Sequence, residues 1–196
     1  MTALETAAKI IKEGGVVGFP TETVYGLGAN ALNPMAVARI FEVKQRPSFD
    51  PLIVHIAELQ QLEELSTSKD PRIGKLAEAF WPGPLTLILP KTDQVPDLVT
   101  SGLPTVGIRM PDHPLALGLI RESGCPLAAP SANKFGRLSP TRAEHVARHL
   151  PEVDFVLDGG ATRVGLESTI VRLESDGFVI LRHGGITRED LAAVLP

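Results

Sequence analysis

Cysteine and aromatic residues are scarce in this sequence. Its 196 residues include a single cysteine, Cys125, with one tryptophan, one tyrosine and seven phenylalanines. A single cysteine excludes an internal disulfide and a metal site built from cysteines, which fits a reducing compartment. Few aromatic side chains are available to stack on bases, and this argues against a dedicated binder of single-stranded nucleic acid.

The sequence also lacks an excess of positive charge. Nineteen Lys+Arg against 23 Asp+Glu give a net charge of −4, so bulk attraction to nucleic acid or to an anionic membrane is not expected. No apolar run approaches the ~18 residues of a membrane span, and the first residues lack the pattern of a secretory leader. We therefore expect a cytoplasmic protein with no membrane partner.

Glycine and proline, in contrast, are abundant, with 18 and 17 residues. Because both residues interrupt regular structure, their number excludes a long coiled coil. A hydrophobic fraction of 43% and a charged fraction of 21% are ordinary for a globular chain with a packed core. The length suits one domain, which we predict to span residues 1–196.

Helical and strand patterns alternate along the chain. Helices are predicted to begin at the N-caps Thr2, Asn33, Asp70, Thr141 and Thr187. Strands are predicted at residues 16–19, 52–56, 85–89, 105–110, 126–129, 155–157, 169–173 and 178–181. A turn at Asp176-Gly177 would join the last two strands. Since helices join some strands and a hairpin joins others, we predict an α/β fold with a mixed sheet.

Most of the glycines and prolines fall in polar loops next to these strands. The loops cover residues 20–28, 82–84, 130–140 and 159–169 and are rich in Thr, Ser and Asn. Binding chemistry is often carried by loops on a rigid sheet, and glycine-rich turns expose backbone N–H groups to anions. Phosphate is therefore a natural ligand class for these loops.

Three basic side chains and a histidine have two interpretations each. Lys44 and Arg46 could grip a polyphosphate, or they could complement the dipole of the helix that begins at Asn33. Arg109 lies inside an apolar strand and needs an anionic partner, which is either an internal acid or a substrate carboxylate. His55, also in an apolar strand, is either a core residue or a groove residue.

Several enzyme signatures are absent. There is no G-x-x-x-x-G-K-[ST] loop and no G-x-S-x-G elbow. Residues 26–31 match G-x-G-x-x-A but lie too far after the predicted strand for a dinucleotide-binding turn. His145 and His149 share a helix face without the glutamate or cysteine partners of a zinc site, so we expect a solvated face and no metal site built from side chains.

Eight segments together resemble one family, the YrdC-like domain of threonylcarbamoyl-AMP synthases. They are FPTETVYGLG (19–28), KQRP (44–47), PLIVH (51–55), FWPGPLT (80–86), VGIRMP (106–111), PLAAPSAN (126–133), GLEST (165–169) and LR (181–182). Each segment is a weak signal alone, but eight in the same order along nearly the whole chain are specific. The resemblance implies a twisted mixed sheet flanked by helices, with a concave, positively lined groove for ATP and L-threonine.

The resemblance also implies roles for individual residues. The residues at positions where the family contacts the nucleotide are Lys44, Arg46, Asp50, Thr105, Ser131, Asn133, Ser139 and Arg182. The residues at positions where it contacts threonine are Thr23, His55, Arg109, Ala129 through its backbone, and Ser168. Lys44 and Arg46 would be the catalytic pair. Asp50 departs from the family, which often has asparagine there, and its carboxylate would either repel phosphate or help hold Mg²⁺.

The implied activity is formation of L-threonylcarbamoyladenylate from L-threonine, bicarbonate or CO2, and ATP. The product would serve the threonylcarbamoyl modification of the tRNA adenosine beside the anticodon. Its partners would be the downstream transferase machinery and, weakly, tRNA. Many relatives continue into a second domain, so this chain resembles the short form. Two alternatives stay open: a non-catalytic RNA-binding module, and carbamoyl transfer to a different acceptor.

Overall fold

The computed structural model describes residues 1–195 and places eight helices and nine strands in that range. The helices are α1 (Ala3–Lys12), α2 (Pro34–Lys44), α3 (Gln60–Leu65), α4 (Pro71–Phe80), α5 (Asp97–Thr100), α6 (Pro114–Ser123), α7 (Ala143–His149) and α8 (Arg188–Val194). The strands are β1 (Val17–Pro20), β2 (Tyr25–Asn30), β3 (Ile53–His55), β4 (Leu85–Pro90), β5 (Thr105–Arg109), β6 (Leu127–Ala128), β7 (Phe155–Val156), β8 (Thr169–Glu174) and β9 (Gly177–Arg182).

Four of the five predicted N-caps are confirmed. Thr2 and Thr187 each form a capping box, while the side chains of Asn33 and Asp70 accept hydrogen bonds from the first turns of α2 and α4. The prediction for Thr141 is wrong, because α7 begins one residue later, with Arg142 at the N-cap and no side-chain cap. The Thr141 carbonyl instead accepts a hydrogen bond from Thr162 N at 3.0 Å, which holds Thr141 outside the helix.

Two features of the strands differ from the sequence prediction. The hairpin pairs Glu174 with Gly177, so its turn is Ser175-Asp176 rather than Asp176-Gly177. Strand β2 lies in a segment that we interpreted as a loop because of its glycines. A Cβ added to Gly28 would lie 2.6 Å from the Phe19 ring, so packing demands a glycine where strand propensity disfavours one.

The strands form one nine-stranded sheet in the order β7-β1-β2-β6-β3-β5-β4-β8-β9. The pairs β1/β7, β3/β5 and β4/β8 are parallel and the other neighbours are antiparallel. This pattern confirms the predicted α/β fold with a mixed sheet. Residues 26–31, which match a dinucleotide motif, lie mostly within β2 and form no phosphate-binding turn.

The two faces of the sheet are covered differently. Helices α1 and α6 pack on one face, where Ile11 and Leu119 join Phe19 and Leu127 in a buried cluster. The larger cluster lies on the other face and includes side chains from α2, α4, β3 and β5. Because Val54 and Ile108 belong to the larger cluster, their neighbours in β3 and β5 point to the α1/α6 side.

No helix within residues 1–195 is long and apolar enough to cross a membrane; the longest, α2, has 11 residues.

Candidate active site

The face of the sheet on which α1 and α6 pack also carries a groove of about 580 Å³. Its floor includes Ile53 and His55 of β3 and Gly107 and Arg109 of β5. The loops that we expected to carry binding chemistry supply part of its wall, through Thr21, Thr23, Val24, Pro130, Ser131, Glu167 and Ser168. The alternation of side chains in β3 and β5 thus separates a packed core face from a polar groove face.

The groove brings together ten of the thirteen residues that the family resemblance assigns to the site. They are Thr23, Arg46, Asp50, His55, Thr105, Arg109, Ala129, Ser131, Ser168 and Arg182. Lys44, Asn133 and Ser139 do not line it. Lys44 and Ser139 contact the lining residues Ser131 and Glu167, and Asn133 bonds within the loop that follows Ser131.

Arg109 is paired with an internal acid, Glu22. Its Nη2 lies 2.6 Å from Glu22 Oε1, Nη1 donates to Thr23 Oγ1 at 3.1 Å, and Nε donates to Gly83 O at 3.2 Å. The contact with Glu22 is an ion pair without a well-directed hydrogen bond, because neither Nη2 nor Oε1 meets hydrogen-bond geometry. A guanidinium has five N–H donors, so these contacts leave some of them unused, and Nη2 itself is buried.

The sequence left the partner of Arg109 open between an internal acid and a ligand, and the structure shows that the internal acid is present. Sequence reasoning missed Glu22 itself. The available signal was that Glu22 is the one charged residue in residues 19–28. A lone carboxylate in such a segment needs a cation, and Arg109 needed an anion.

His55 is buried in the groove floor beside Arg109. Its ring meets the ring of Phe19 edge to face, with the centroids 6.2 Å apart. Burial, together with the charge of Arg109, lowers the pKa of His55 to about 3. The histidine is therefore neutral at physiological pH. It is both buried and part of the groove lining.

Arg46 and Lys44 do not project from the same side of the chain, and only Arg46 lines the groove. Gln45 ends α2 in the left-handed conformation, at φ 52° and ψ 41°, and this turns Arg46 away from Lys44 into the groove. Arg46 Nη2 lies 2.9 Å from Asp50 Oδ2 and donates to Pro51 O at 3.0 Å. The carboxylate of Asp50 thus has a cationic partner within the chain.

Lys44 is buried behind the groove wall. Its Nζ donates to the carbonyl oxygens of Ser131 and Asn133, and its own carbonyl accepts from Phe135 N at 3.1 Å. Lys44 thereby ties the end of α2 to the loop that follows β6. Burial and the nearby charge of Arg46 lower the pKa of Lys44 to about 7.

Arg182 organises the opposite wall. Its Nε donates to Ser168 O and its Nη2 to Ser168 Oγ, both at 3.0 Å, while Nη1 pairs with Glu167. Ser139 Oγ donates to the other oxygen of Glu167 at 2.9 Å, so Ser139 reaches the groove only through that carboxylate. Ser168 also exchanges a hydrogen bond of 2.7 Å with Thr86.

Asn133 shapes the neighbouring loop rather than lining the groove. Its Nδ2 donates to Lys134 O at 3.0 Å and to Arg137 O at 2.8 Å. These bonds close the loop of residues 133–137. The loop begins two residues after Ser131, which does line the groove.

Four arginines and two carboxylates line the groove, so its lining carries a net positive charge. Every one of these arginines has an acidic partner. The pairs are Arg46–Asp50, Arg109–Glu22, Arg182–Glu167 and Arg172–Glu174. An anionic ligand would therefore compete with carboxylates for the guanidinium groups.

A second cavity of about 510 Å³ lies on the other face, between α3 and α4. Leu62, Ile73, Trp81 and Met110 are part of its lining, and none of the thirteen assigned residues is. Residues 1–195 hold no cluster of three or more His, Cys, Asp or Glu side chains suited to a metal ion. The groove is thus the candidate active site.

Comparison with known proteins identifies similar chains. The family model Sua5_yciO_yrdC, described as "Telomere recombination", matches residues 9–184. The threonylcarbamoyl-AMP synthase of Bacillus subtilis is 57% identical over 191 residues, which are 96% of this chain and 55% of that protein. A putative threonylcarbamoyl-AMP synthase of Methanocaldococcus jannaschii is 37% identical over 96% of this chain and 89% of its own length.

A solved structure is also similar. The crystal structure of Pyrococcus abyssi Sua5 complexed with L-threonine aligns with a TM-score of 0.96 at 52% identity, covering 98% of this chain and 57% of that chain. This chain therefore spans about half the length of the Bacillus and Pyrococcus proteins.

Proposed function

The chain belongs to the Sua5, YciO and YrdC family, and from that membership we propose that it is an L-threonylcarbamoyladenylate synthase. The reaction joins L-threonine, bicarbonate or CO2, and ATP, and it releases pyrophosphate. The observation that carries the proposal is the meeting of Arg46, Arg109 and Arg182 in one groove of about 580 Å³. Three guanidinium groups from separate elements suit a ligand set with one carboxylate and several phosphates.

In this proposal the groove holds threonine over β5 and the nucleotide nearer to α2. Arg109 binds the threonine carboxylate through its unpaired N–H donors, beside the neutral His55 and the hydroxyls of Thr23 and Ser168. Arg46 and Arg182 bind phosphate oxygens after releasing Asp50 and Glu167. The side chains of both acids are about one third exposed, so water can hydrate the carboxylates once they leave their arginines.

The chemistry needs no covalent intermediate on the protein. The threonine nitrogen attacks the carbon of CO2, loses a proton and becomes a carbamate. A carbamate oxygen then attacks the α-phosphorus of ATP, and the bond to pyrophosphate breaks. The chain positions two anions against each other and offsets the charge that develops on the phosphates, with Lys44 holding the Ser131 loop in place.

Mg²⁺ is expected to arrive with ATP. It usually takes one or two carboxylates together with phosphate oxygens, and Asp50 and Glu167 are the two carboxylates of the groove lining. These side chains fit the ion once phosphate has displaced them from their arginines. When bound, Mg²⁺ would neutralise phosphate charge.

The test is pyrophosphate release from ATP, measured with and without L-threonine and with and without bicarbonate. We expect release only when both are present. Arg46→Ala should lower the rate by on the order of 10²-fold, because one electrostatic donor is lost from the transition state. Arg72→Ala is the control, since Arg72 forms a similar pair with Asp70 outside the groove. Release that does not depend on threonine would contradict the proposal.

The product would pass to a tRNA threonylcarbamoyl transferase, and we place the reaction in the cytoplasm. The RNA-binding alternative predicts RNA affinity that falls steeply with salt concentration and no turnover of ATP, and a filter-binding assay beside the pyrophosphate assay separates it from the proposal. Carbamoyl transfer to another acceptor is separated from the proposal by replacing threonine with other amino acids in the same assay.

A further inference from the structure

Glu22 differs from the other acids that pair with groove arginines because it cannot leave its arginine. The side chains of Asp50 and Glu167 are 37% and 35% exposed, whereas that of Glu22 is 2% exposed. Its Oε2 accepts a hydrogen bond from Asp112 N at 3.1 Å. The backbone therefore holds one oxygen while the other oxygen contacts Arg109.

Arg109 and Glu22 together carry no net charge, and the nearby Arg182–Glu167 pair, whose charges also act on Arg109, adds none. The other contacts of Arg109 are the hydroxyl of Thr23 and the carbonyl of Gly83, both neutral, and the adjacent His55 is uncharged at physiological pH. The site offers N–H donors to a ligand carboxylate, but the charge of the guanidinium is already offset. A ligand with an extra negative charge would meet repulsion from Glu22 at short range in a poorly solvated place.

We propose that Glu22 is a permanent counter-ion of Arg109 and that it makes this end of the groove select a zwitterionic amino acid over a carboxylic acid without an ammonium group. The inference rests on the proposed function, because it takes Arg109 as the carboxylate contact. Glu22 does not line the groove and acts through Arg109, so it is a positioning residue. Its effect is on ligand charge rather than on ligand shape.

The matched probes are L-threonine and (R)-3-hydroxybutyrate, which is threonine with its ammonium group replaced by hydrogen. Calorimetric titration of the native chain should show a clear preference for L-threonine. In Glu22→Gln the ratio of the two dissociation constants should narrow by at least about tenfold, because the anion now meets an uncompensated guanidinium. Glutamine keeps the size of the side chain and an acceptor for Asp112 N.

Two further variants separate charge from structure. Glu58→Gln is the same substitution in an ion pair with Arg121, 2.7 Å long and outside the groove, and should leave the ratio unchanged. Glu22→Asp keeps the charge and should also preserve the ratio. If the role of Glu22 were purely structural, Glu22→Gln would weaken the binding of both ligands by the same factor. That result would overturn the inference.

The native chain alone also tests the inference if Glu22→Gln does not fold. Equal affinity of the native chain for L-threonine and (R)-3-hydroxybutyrate would overturn it. A native chain that binds neither ligand, with or without ATP, contradicts the proposed function and this inference together. A native chain that binds L-threonine, with an unchanged ratio in Glu22→Gln, contradicts the inference alone.

Discussion

Lys44 is fully buried, and the family resemblance assigns the same residue to the nucleotide. It is one of the largest fully buried side chains, and both Nζ contacts are backbone carbonyls. Burial and Arg46 lower its pKa from 10.5 to about 7. An ammonium in this place can still act on phosphate through the field that it exerts on the groove, without touching the ligand.

The lowered pKa of Lys44 predicts a pH dependence of stability. Between pH 7 and pH 10.5 the unfolded chain keeps the lysine proton while the folded chain loses it. The unfolded state then binds more protons, so this lysine makes the free energy of unfolding rise with pH, by at most about 1.4 kcal/mol per pH unit. Denaturant unfolding across that range should show a steeper rise for the native chain than for Lys44→Met. Equal slopes would mean that the amine titrates normally.

At the residue scale, the sequence located the groove residues but not how they are paired. The motif positions of Arg109 and His55 placed them together, and both line one groove of the structure. The partner Glu22 is separated from Arg109 by 87 positions in the chain, and only the fold brings them to 2.6 Å. The same holds for Lys44, whose two carbonyl partners lie in the loop after β6.

At the scale of elements, the segment that follows β9 is packed directly, at Gly184, on the segment that carries Glu167 and Ser168. A Cβ added to Gly184 would meet Glu167 O, lie 2.5 Å from Thr169 N and lie 2.6 Å from the carbonyl carbon of Ser168. These neighbours are backbone atoms, which cannot rotate away as side chains can. The glycine is required for space, because no positive φ is involved.

Gly184→Ala is therefore expected to destabilise the protein and to weaken ligand binding. Overpacking of this kind costs about 1–3 kcal/mol, which exceeds the ~0.4–1 kcal/mol that Gly→Ala gains by restricting the unfolded chain. The shifted backbone would also displace Ser168 from Arg182. Denaturant unfolding and L-threonine titration measure the two effects.

Gly185→Ala is the matched control, since its nearest neighbours would be Pro84 Cγ at 3.6 Å and Val164 Cγ1 at 4.0 Å. It should leave stability and binding near native values. If Gly184→Ala and Gly185→Ala changed the free energy of unfolding and the affinity for L-threonine equally, the backbone around Gly184 would have relaxed without loss of stability.

Elements with strong local signals were predictable, and elements shaped by packing were not. Capping residues predicted the helices α1, α2, α4 and α8, and runs of apolar and β-branched residues predicted the strands β4 and β5. The strand β2 was hidden because Gly26 and Gly28 make room for the ring of Phe19. Helix α6 was missed because its cap is His113, whose Nδ1 accepts from Leu115 N, an unusual capping residue.

At the scale of the whole molecule, two cavities of similar size lie on opposite faces of one sheet, and volume does not distinguish them. The groove of about 580 Å³ is lined by four arginines, whereas the lining of the cavity of about 510 Å³ between α3 and α4 has no arginine, and its charged residues are Glu63, Lys69, Asp70 and Glu78. The net charge of −4 says nothing about either. Only the distribution of arginines, which depends on strand order and alternation, assigns anionic ligands to the groove.

This assignment predicts where ligands protect the backbone from hydrogen exchange. With L-threonine and ATP at about 100 times their dissociation constants, openings that disrupt the bound site should slow by on the order of 100-fold. Protection is expected in peptides covering residues 44–56, 103–110 and 167–182, while peptides covering residues 60–80, beside the second cavity, should exchange as in the free protein. ATP alone should protect residues 44–52 more than residues 106–110, because Arg46 is assigned to phosphate whereas Arg109 is assigned to the threonine carboxylate. Protection confined to residues 60–80 would instead place the ligands in the cavity between α3 and α4, whose lining includes none of the assigned residues.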